Sequence, residues 1–348
     1  MLSLDKKAEY RMPAEWEKQK STWVAWPHNK NDWPNRFTLI PLIFAEIISK
    51  ICNYQKVNIL ILNKRDKKKI HPLLKKFSAN TKNINYRICK TNRAWLRDSF
   101  PIFVKNKFNQ KVLLNWSFNA WAKYKNFNYD NKICIQIKNL LNLDSIKPKI
   151  RNRRIILEGG SIDVNGKGLM LTTKECLLGK IQERNPGLKK KEYENIFNKF
   201  LGIKKVLWLK KGIVGDDTHG HIDDIARFVS ENKIFIAYEN DRNDANYKKL
   251  KDNYQTLKKL TKKSNLKVIK IPMPNAKYID GVRVPASYLN FYIANKVVLV
   301  PVFKNQKDKK VIKVFKKHFK KRKIIPIDCS TLIWGFGAIH CMTQQEPS

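Results

Sequence analysis

Apolar residues fall at helical spacing early in the chain. Leu39, Ile40, Leu42, Ile43, Phe44, Ile47, Ile48 and Ile51 line one wide face, so an amphipathic helix is predicted over residues 36–51. Unbroken or alternating apolar runs predict strands at Trp23 to Trp26, Val57 to Leu62, 84–89, the apolar run after Pro101 and Val112 to Phe118. Ile155 to Val164 reads as a buried strand broken by Gly159-Gly160. Further strands follow at Gly168 to Thr173, Lys205 to Leu209, Ile225 to Val229, Ile234 to Tyr238, Val268 to Ile271, Val297 to Phe303 and Ile324 to Ile327. Helices are predicted between them near 66–77, 131–141, 188–200, 246–262 and 308–319. This rhythm of helix and strand, without a low-complexity linker or a sequence repeat, predicts one α/β domain spanning 1–348.

Composition narrows the class. At 348 residues and 43% hydrophobic, the chain can bury a sizeable core. Its six cysteines are scattered without a CxxC pair, which speaks against a zinc site and a disulfide framework. Met1-Leu2-Ser3-Leu4-Asp5-Lys6-Lys7 has no apolar core, so no signal peptide is expected. No apolar run approaches the roughly 18 residues of a membrane span. The expectation is a soluble, reduced, cytoplasmic protein. The net charge of +42 raises nucleic-acid binding, but the lysines lie in short runs over the whole chain and no finger or RNP-like motif appears. Specific nucleic-acid binding is therefore not expected, and the charge reads as a solvated surface.

Four stretches carry candidate chemistry. Trp334-Gly335-Phe336-Gly337-Ala338-Ile339-His340-Cys341 sets a cysteine behind two glycines, which permit close backbone approach. Trp95-Leu96-Arg97-Asp98 puts an Arg-Asp pair between a Trp and a Pro-containing turn, as on a functional loop. Leu157-Glu158-Gly159-Gly160 follows a carboxylate with two glycines. Gly215-Asp216-Asp217-Thr218-His219-Gly220-His221-Ile222-Asp223-Asp224 concentrates acids and histidines, and strand alternation would place His221 and Asp223 on one face. A metal site ranks lower there, because no matching His or Cys cluster follows. Carboxylates beside a thiolate raise its pKa unless the substrate is itself a cation. A guanidinium meets that need, since two carboxylates can hold its planar array of N–H donors.

With these residues in place the chain resembles the agmatine deiminase family of the guanidino-modifying pentein superfamily. The resemblance runs nearly end to end. It is carried by Met12-Pro13-Ala14-Glu15, Trp23-Val24-Ala25-Trp26-Pro27, Trp95-Leu96-Arg97-Asp98, Phe118-Asn119-Ala120-Trp121, Leu157-Glu158-Gly159-Gly160-Ser161-Ile162, Gly215-Asp216-Asp217-Thr218, Gly220-His221-Ile222-Asp223, Ala286-Ser287-Tyr288-Leu289-Asn290-Phe291-Tyr292 and Ile339-His340-Cys341-Met342-Thr343-Gln344-Gln345. It implies a five-bladed pseudo-fivefold α/β propeller with a central site, no cofactor and no metal, and a homodimer. It further implies Cys341 as nucleophile, Asp98 and Asp223 as holders of the guanidinium, and His221 as general acid and then base. Agmatine, a small cationic guanidino substrate, would give N-carbamoylputrescine and ammonia on the way to putrescine. Trp95 would pack along the alkyl chain beside Gly337. Glu158, Asp216 and Asp217 would support the site or meet the distal amine.

Three departures from the family pattern touch the substrate's far end. Arg93 stands where an acid is usual, Phe336 interrupts the glycines, and the loop Leu178 to Pro186 is slightly long. The alternatives are a deiminase of peptidyl-arginine or another guanidino compound, an amidinotransferase, and a basic RNA-binding protein that keeps the fold.

Overall fold

The computed structural model describes residues 10–348; the leader expectation for Met1 to Lys7 lies outside the described residues. Five sheets of three or four strands repeat one unit. In each, one strand pairs antiparallel on one side and parallel on the other, with a helix on the parallel crossover. Ile102–Asn106 pairs antiparallel with Lys111–Leu114, which runs parallel to Ser145–Ile146 after the helix Ile133–Leu141. Asp163–Val164, Leu169–Thr173 and Lys205–Leu209 repeat this around the helix Lys190–Leu201. So do Ala226–Ser230, Lys233–Tyr238 and Lys267–Pro272 around Tyr247–Thr261. Tyr292–Ile293, Val297–Val302 and Lys323–Asp328 do it again around Asp308–His318. The remaining sheet joins the two ends of the chain. Gln19–Ala25 pairs antiparallel with Thr343–Pro347 and parallel with Lys56–Ile61 across the helix Ile40–Cys52. Ile84–Ile88 extends it after the helix Lys64–Lys76.

The central strands read as apolar runs because both faces are covered. Val297, Val298, Leu299 and Val300 are wholly buried, as are Ile234, Phe235 and Ile236. The helices keep one apolar stripe inward: Phe44, Ile47, Ile48 and Ile51 are buried, while the lysines of Lys64–Lys76 leave only Ile70 and Leu74 inside. The core collects in two clusters, one around Trp23, Trp33 and Phe44, the other around Trp116, Tyr193 and Phe197.

Three predicted elements differ. Ile155 to Val164 is no strand: it makes one bridge (Ser117 to Ile156), then a 3-10 turn Gly159–Ser161, and only Asp163–Val164 pairs. Val112 to Phe118 ends as a strand at Leu114. The acidic stretch after Gly215 is a turn, with a 3-10 segment Ile222–Asp224 before the strand Ala226–Ser230. In the first and third, glycines and short polar side chains satisfy the backbone locally and so compete with a ladder, whereas beyond Leu114 the N–H groups of Asn115 and Ser117 turn to the carbonyls of Ile146 and Ile155.

The repeat explains where the site lies. Each sheet's antiparallel pair is entered by a turn, and each turn delivers one residue to a common place. Asp98 precedes Ile102–Asn106, Gly160 precedes Asp163–Val164, and Asp223 precedes Ala226–Ser230. Asn290 precedes Tyr292–Ile293, and Cys341 precedes Thr343–Pro347.

Candidate active site

Cys341 lies at the floor of a cavity of about 310 Å³ and is 6% exposed. The loop above it is shaped by its glycines. A Cβ on Gly337 would stand 2.8 Å from the Trp95 ring and 3.0 Å from Cys341 Cβ, and one on Gly335 would strike Trp33. Between them Phe336 takes a positive φ of 61°. The Asn290 amide fixes the sulfur. Its Nδ2 donates to Cys341 Sγ at 3.1 Å and to Asp224 Oδ1 at 3.0 Å, while its Oδ1 accepts from the His340 and Cys341 backbone N–H groups. Asn290 is the site residue that sequence reasoning left without a role. Its signal was its place in the Ala286 to Tyr292 motif.

Burial raises the Cys341 pKa well above the usual thiol range, and Asp223, Asp224 and Asp98 raise it further. The thiol donates toward Asp223 Oδ2 at 3.8 Å. Asp223 Oδ1 is buried without a hydrogen-bond partner among the described residues. Asp98 is aimed by two donors, the Gly160 N–H at 2.9 Å on Oδ1 and Trp121 Nε1 at 2.9 Å on Oδ2. Burial, only partly offset by His221, pushes its pKa up to about 6.

His221 lies behind the cavity wall. Nδ1 is 3.7 Å from Asp98 Oδ1 and Nε2 is 3.6 Å from Glu158 Oε2. Burial works against its charge, but Asp98, Cys176 and Glu158 outweigh it and raise its pKa well above the ordinary value. Gly160 is required here, because a Cβ would stand 2.5 Å from His221 Nδ1 and 2.8 Å from Asp98 Oδ1. Glu158 is wholly buried and answered by Arg184, whose Nε donates to Oε1 at 3.0 Å. Burial disfavours its charge, yet Arg184 and His221 hold it down at about 2. Arg184 also donates to the carbonyls of Gln182 and Thr218, which clasps the slightly long loop over the His221 turn.

Glu158, Cys176 and His221 come within ion-binding reach of one another. The Arg184 guanidinium already seated on that carboxylate suits a charged support of His221, so we assign no metal to it.

Of the sequence candidates, Cys341, Asp98, Trp95, Gly337 and Asp217 line the cavity. His221 and Asp223 sit buried just behind, and the strand alternation predicted to align them is replaced by the 3-10 turn. Glu158 stands against His221 rather than at the distal end. Asp216 also faces inward to its own turn, accepting from the backbone N–H groups of Thr218, Gly220 and His221. At the rim Asp217 accepts from Tyr124 at 2.8 Å and pairs with Lys123. Opposite, Arg93 pairs with Asp32 and stacks 4.3 Å over the Tyr124 ring. Burial pushes Asp32 up to about 7 against the pull of Arg93.

The chain matches the family of Porphyromonas-type peptidyl-arginine deiminases over residues 11–347. A curated relative from Latilactobacillus sakei, carrying the provisional name agmatine deiminase, is 32% identical over 99% of this chain and 97% of its own. The solved structure of an Enterococcus faecalis agmatine deiminase catalysing its reaction is 30% identical, with TM-score 0.87 over 98% of this chain and 96% of that one. An agmatine deiminase from C. jejuni with substrate bound is 28% identical, with TM-score 0.87 over 97% and 96%. An amidinotransferase from Microseira wollei shares the fold alone, at 13% identity and TM-score 0.53 over 97% and 96%.

Proposed function

Since the chain belongs to the Porphyromonas-type peptidyl-arginine deiminase family, whose members act on amidine groups, we propose that it hydrolyses the guanidinium of agmatine to N-carbamoylputrescine and ammonia. The observation that carries this is a buried thiol 3.8 Å from one oxygen of the Asp223 carboxylate, whose other oxygen has no hydrogen-bond partner among the described residues. Asp223 Oδ1 calls for a donor, and Cys341 stays a thiol until a cation offsets its carboxylates. A guanidinium supplies both at once.

In this reading Asp98 and Asp223 hold the guanidinium nitrogens over Cys341. As the cation binds, the Cys341 thiol releases its proton to solvent; the sulfur then adds to the central carbon, and the C–N bond to one NH2 group breaks as His221 gives that nitrogen its proton. Ammonia leaves, and an S-alkylthiouronium remains. His221 then takes a proton from water, the water oxygen adds to the same carbon, and the C–S bond breaks to return Cys341. Glu158, held by Arg184, keeps His221 charged and in place. Trp95 lies along the aliphatic chain, and Asp32 with Asp217 receives the distal ammonium at the rim. The product would feed putrescine synthesis. The five repeating units support the five-bladed ring that the family resemblance implies, and a homodimer is expected with it.

Arg93 favours a second reading. A guanidinium at the rim suits a substrate that ends in a carboxylate, such as arginine or a peptide with C-terminal arginine. Ammonia release from agmatine, arginine and such a peptide, with Cys341→Ser as control, separates the two. Turnover of agmatine alone, lost in the variant, supports the first. A preference for the carboxylate-bearing substrates overturns it in favour of the second. No turnover of any of the three overturns the deiminase reading.

A further inference from the structure

Resting on the deiminase reading, we infer that Glu15 and His340 are positioning residues, a buried strap that keeps the Asp223 carboxylate charged and aimed so that Cys341 reacts selectively with cationic carbon. Neither residue lines the cavity. They come from motifs at opposite ends of the chain, 325 positions apart.

The geometry fixes the protons. His340 Nδ1 lies 2.7 Å from Asp223 Oδ2, and Nε2 lies 2.8 Å from Glu15 Oε2. A neutral imidazole has one N–H, so it can donate to only one of two ionised carboxylates. Both contacts are hydrogen bonds to carboxylates only if the ring carries two protons. Burial, Arg227 and Arg97 pull the ring's pKa below its ordinary value, and Glu15 and Asp223 pull against them. The two short contacts decide between them. Glu15 has no proton to give, since Arg227 and Arg97 help hold it well below the ordinary carboxylate range against burial.

Glu15 is well placed to demand the second proton. Its Oε1 accepts from Arg227 Nη2 at 3.0 Å and from the Ile293 N–H at 2.8 Å, and its Oε2 accepts from Arg97 Nη2 at 3.3 Å. The arginines are fixed in turn. Arg227 pairs with Asp163 and lies 4.6 Å over the Phe291 ring, and Arg97 Nη1 donates to Gln345 at 2.7 Å.

The surrounding charges show what the strap does. Asp223 faces Asp98, Asp224 and the Cys341 sulfur on the cavity side, with His221 behind. Around Glu15 stand Arg97, Arg227 with its partner Asp163, and the Tyr292 hydroxyl. Apart from the thiol itself, His340 alone of these groups donates a hydrogen bond to Asp223. Without it, Asp223 is left beside two carboxylates in a dry site and takes up a proton. A neutral acid no longer attracts the guanidinium or balances the charge that turns the thiol into a thiolate.

The test uses two alkylating reagents of nearly the same shape, applied to Cys341 of the full chain: 2-chloroacetamidine, a cation, and 2-chloroacetamide, which is neutral. Each forms a C–S bond as its C–Cl bond breaks, releasing chloride and the thiol's proton. Alkylation rates are followed from acid to neutral pH, with ammonia release from agmatine in parallel. The wild type should prefer the cation. His340→Ala should lose that preference by about tenfold to a hundredfold, the weight of a hydrogen bond to a charged group. Its acid limb should move to higher pH. His340→Asn, whose amide can still donate from near the Nδ1 position, should recover part of the preference. Glu15→Gln, which keeps the shape and removes the charge, should shift both readouts in the same direction, and it carries the test if His340→Ala does not fold. A purely structural role would slow both reagents alike. An unchanged preference and pH profile in the variants therefore overturns the inference, as does a wild type without preference. A wild type that prefers the cation, loses this in the variants and yet releases no ammonia from any guanidino compound overturns the deiminase reading and leaves the strap standing.

Discussion

At the scale of single residues, the site turns on which carboxylates are charged. In the proposed reaction Asp98 must be ionised to hold the guanidinium, and burial, which outweighs His221, pushes its pKa up to about 6. An acid with a raised pKa loses its charge early as pH falls. We therefore expect kcat/KM to fall below about pH 6, and initial rates across pH 5 to 8 would show it. Trp121→Phe removes the donor on Asp98 Oδ2 and should move that limb upward; an unmoved limb would assign it to another group. Gly160 makes a sharper demand. In Gly160→Ala the new methyl would stand 2.5 Å from His221 Nδ1, and a displacement of about 1 Å can cost on the order of a hundredfold in rate. The expected result is a large drop in kcat with a near-normal unfolding temperature. That Cys341, His221, Asp98 and Asp223 gather in one place was legible in the sequence, because thiol, imidazole and carboxylates form a short list of reacting groups. Asn290 was not, since an amide in a loop looks the same whether it caps a turn or grips a sulfur.

At the scale of elements, the long helices were legible and the turns were not. Ile40–Cys52 spans more than three helical turns and shows its 3.6-residue period, whereas Gly159–Ser161 and Ile222–Asp224 are three residues each and show none. The site is built from such turns. The residues they deliver are Asp98, Gly160, Asp223, Asn290 and Cys341, so the repeat exists in the backbone without any repeat in sequence. What holds one turn to the next is side-chain bonding, and Arg184 is the clearest case. With Glu158 it forms an ion pair in which neither side chain is exposed. Arg184→Met should cost about 3–5 kcal/mol, because the carboxylate is left buried and unpaired. The sign with pH follows. In the wild type Glu158 is held at about 2, below its ordinary value of 4.5, so its contribution is present above pH 4.5 and is lost toward pH 2. In the variant only His221 still opposes burial, so that pKa rises and protonation relieves the penalty. The gap in unfolding temperature between the two proteins should narrow from pH 7 to pH 4. A gap that widens would show that Glu158 is not what Arg184 stabilises.

At the scale of the whole molecule, the charge that excludes little by itself sets a condition on the substrate. The chain carries +42, from 71 basic and 29 acidic residues. Four of the acids, Asp98, Glu158, Asp223 and Asp224, are buried at the site. An approaching agmatine thus meets a repulsive far field and an attractive near one. The two differ in reach. Salt at about 0.1 M screens exposed charges beyond roughly 10 Å, against about 30 Å at 0.01 M, while the buried carboxylates at the cavity floor are screened little. Raising ionic strength over that range should therefore weaken the repulsion first, so kcat/KM for agmatine should rise while kcat stays constant. Arginine, which carries a carboxylate as well as its two cationic groups, should respond less. A kcat/KM for agmatine that falls with salt would reverse the balance. Asp32 and Asp217 at the rim, one paired with Arg93 and the other with Lys123, would then be steering the cation despite those partners.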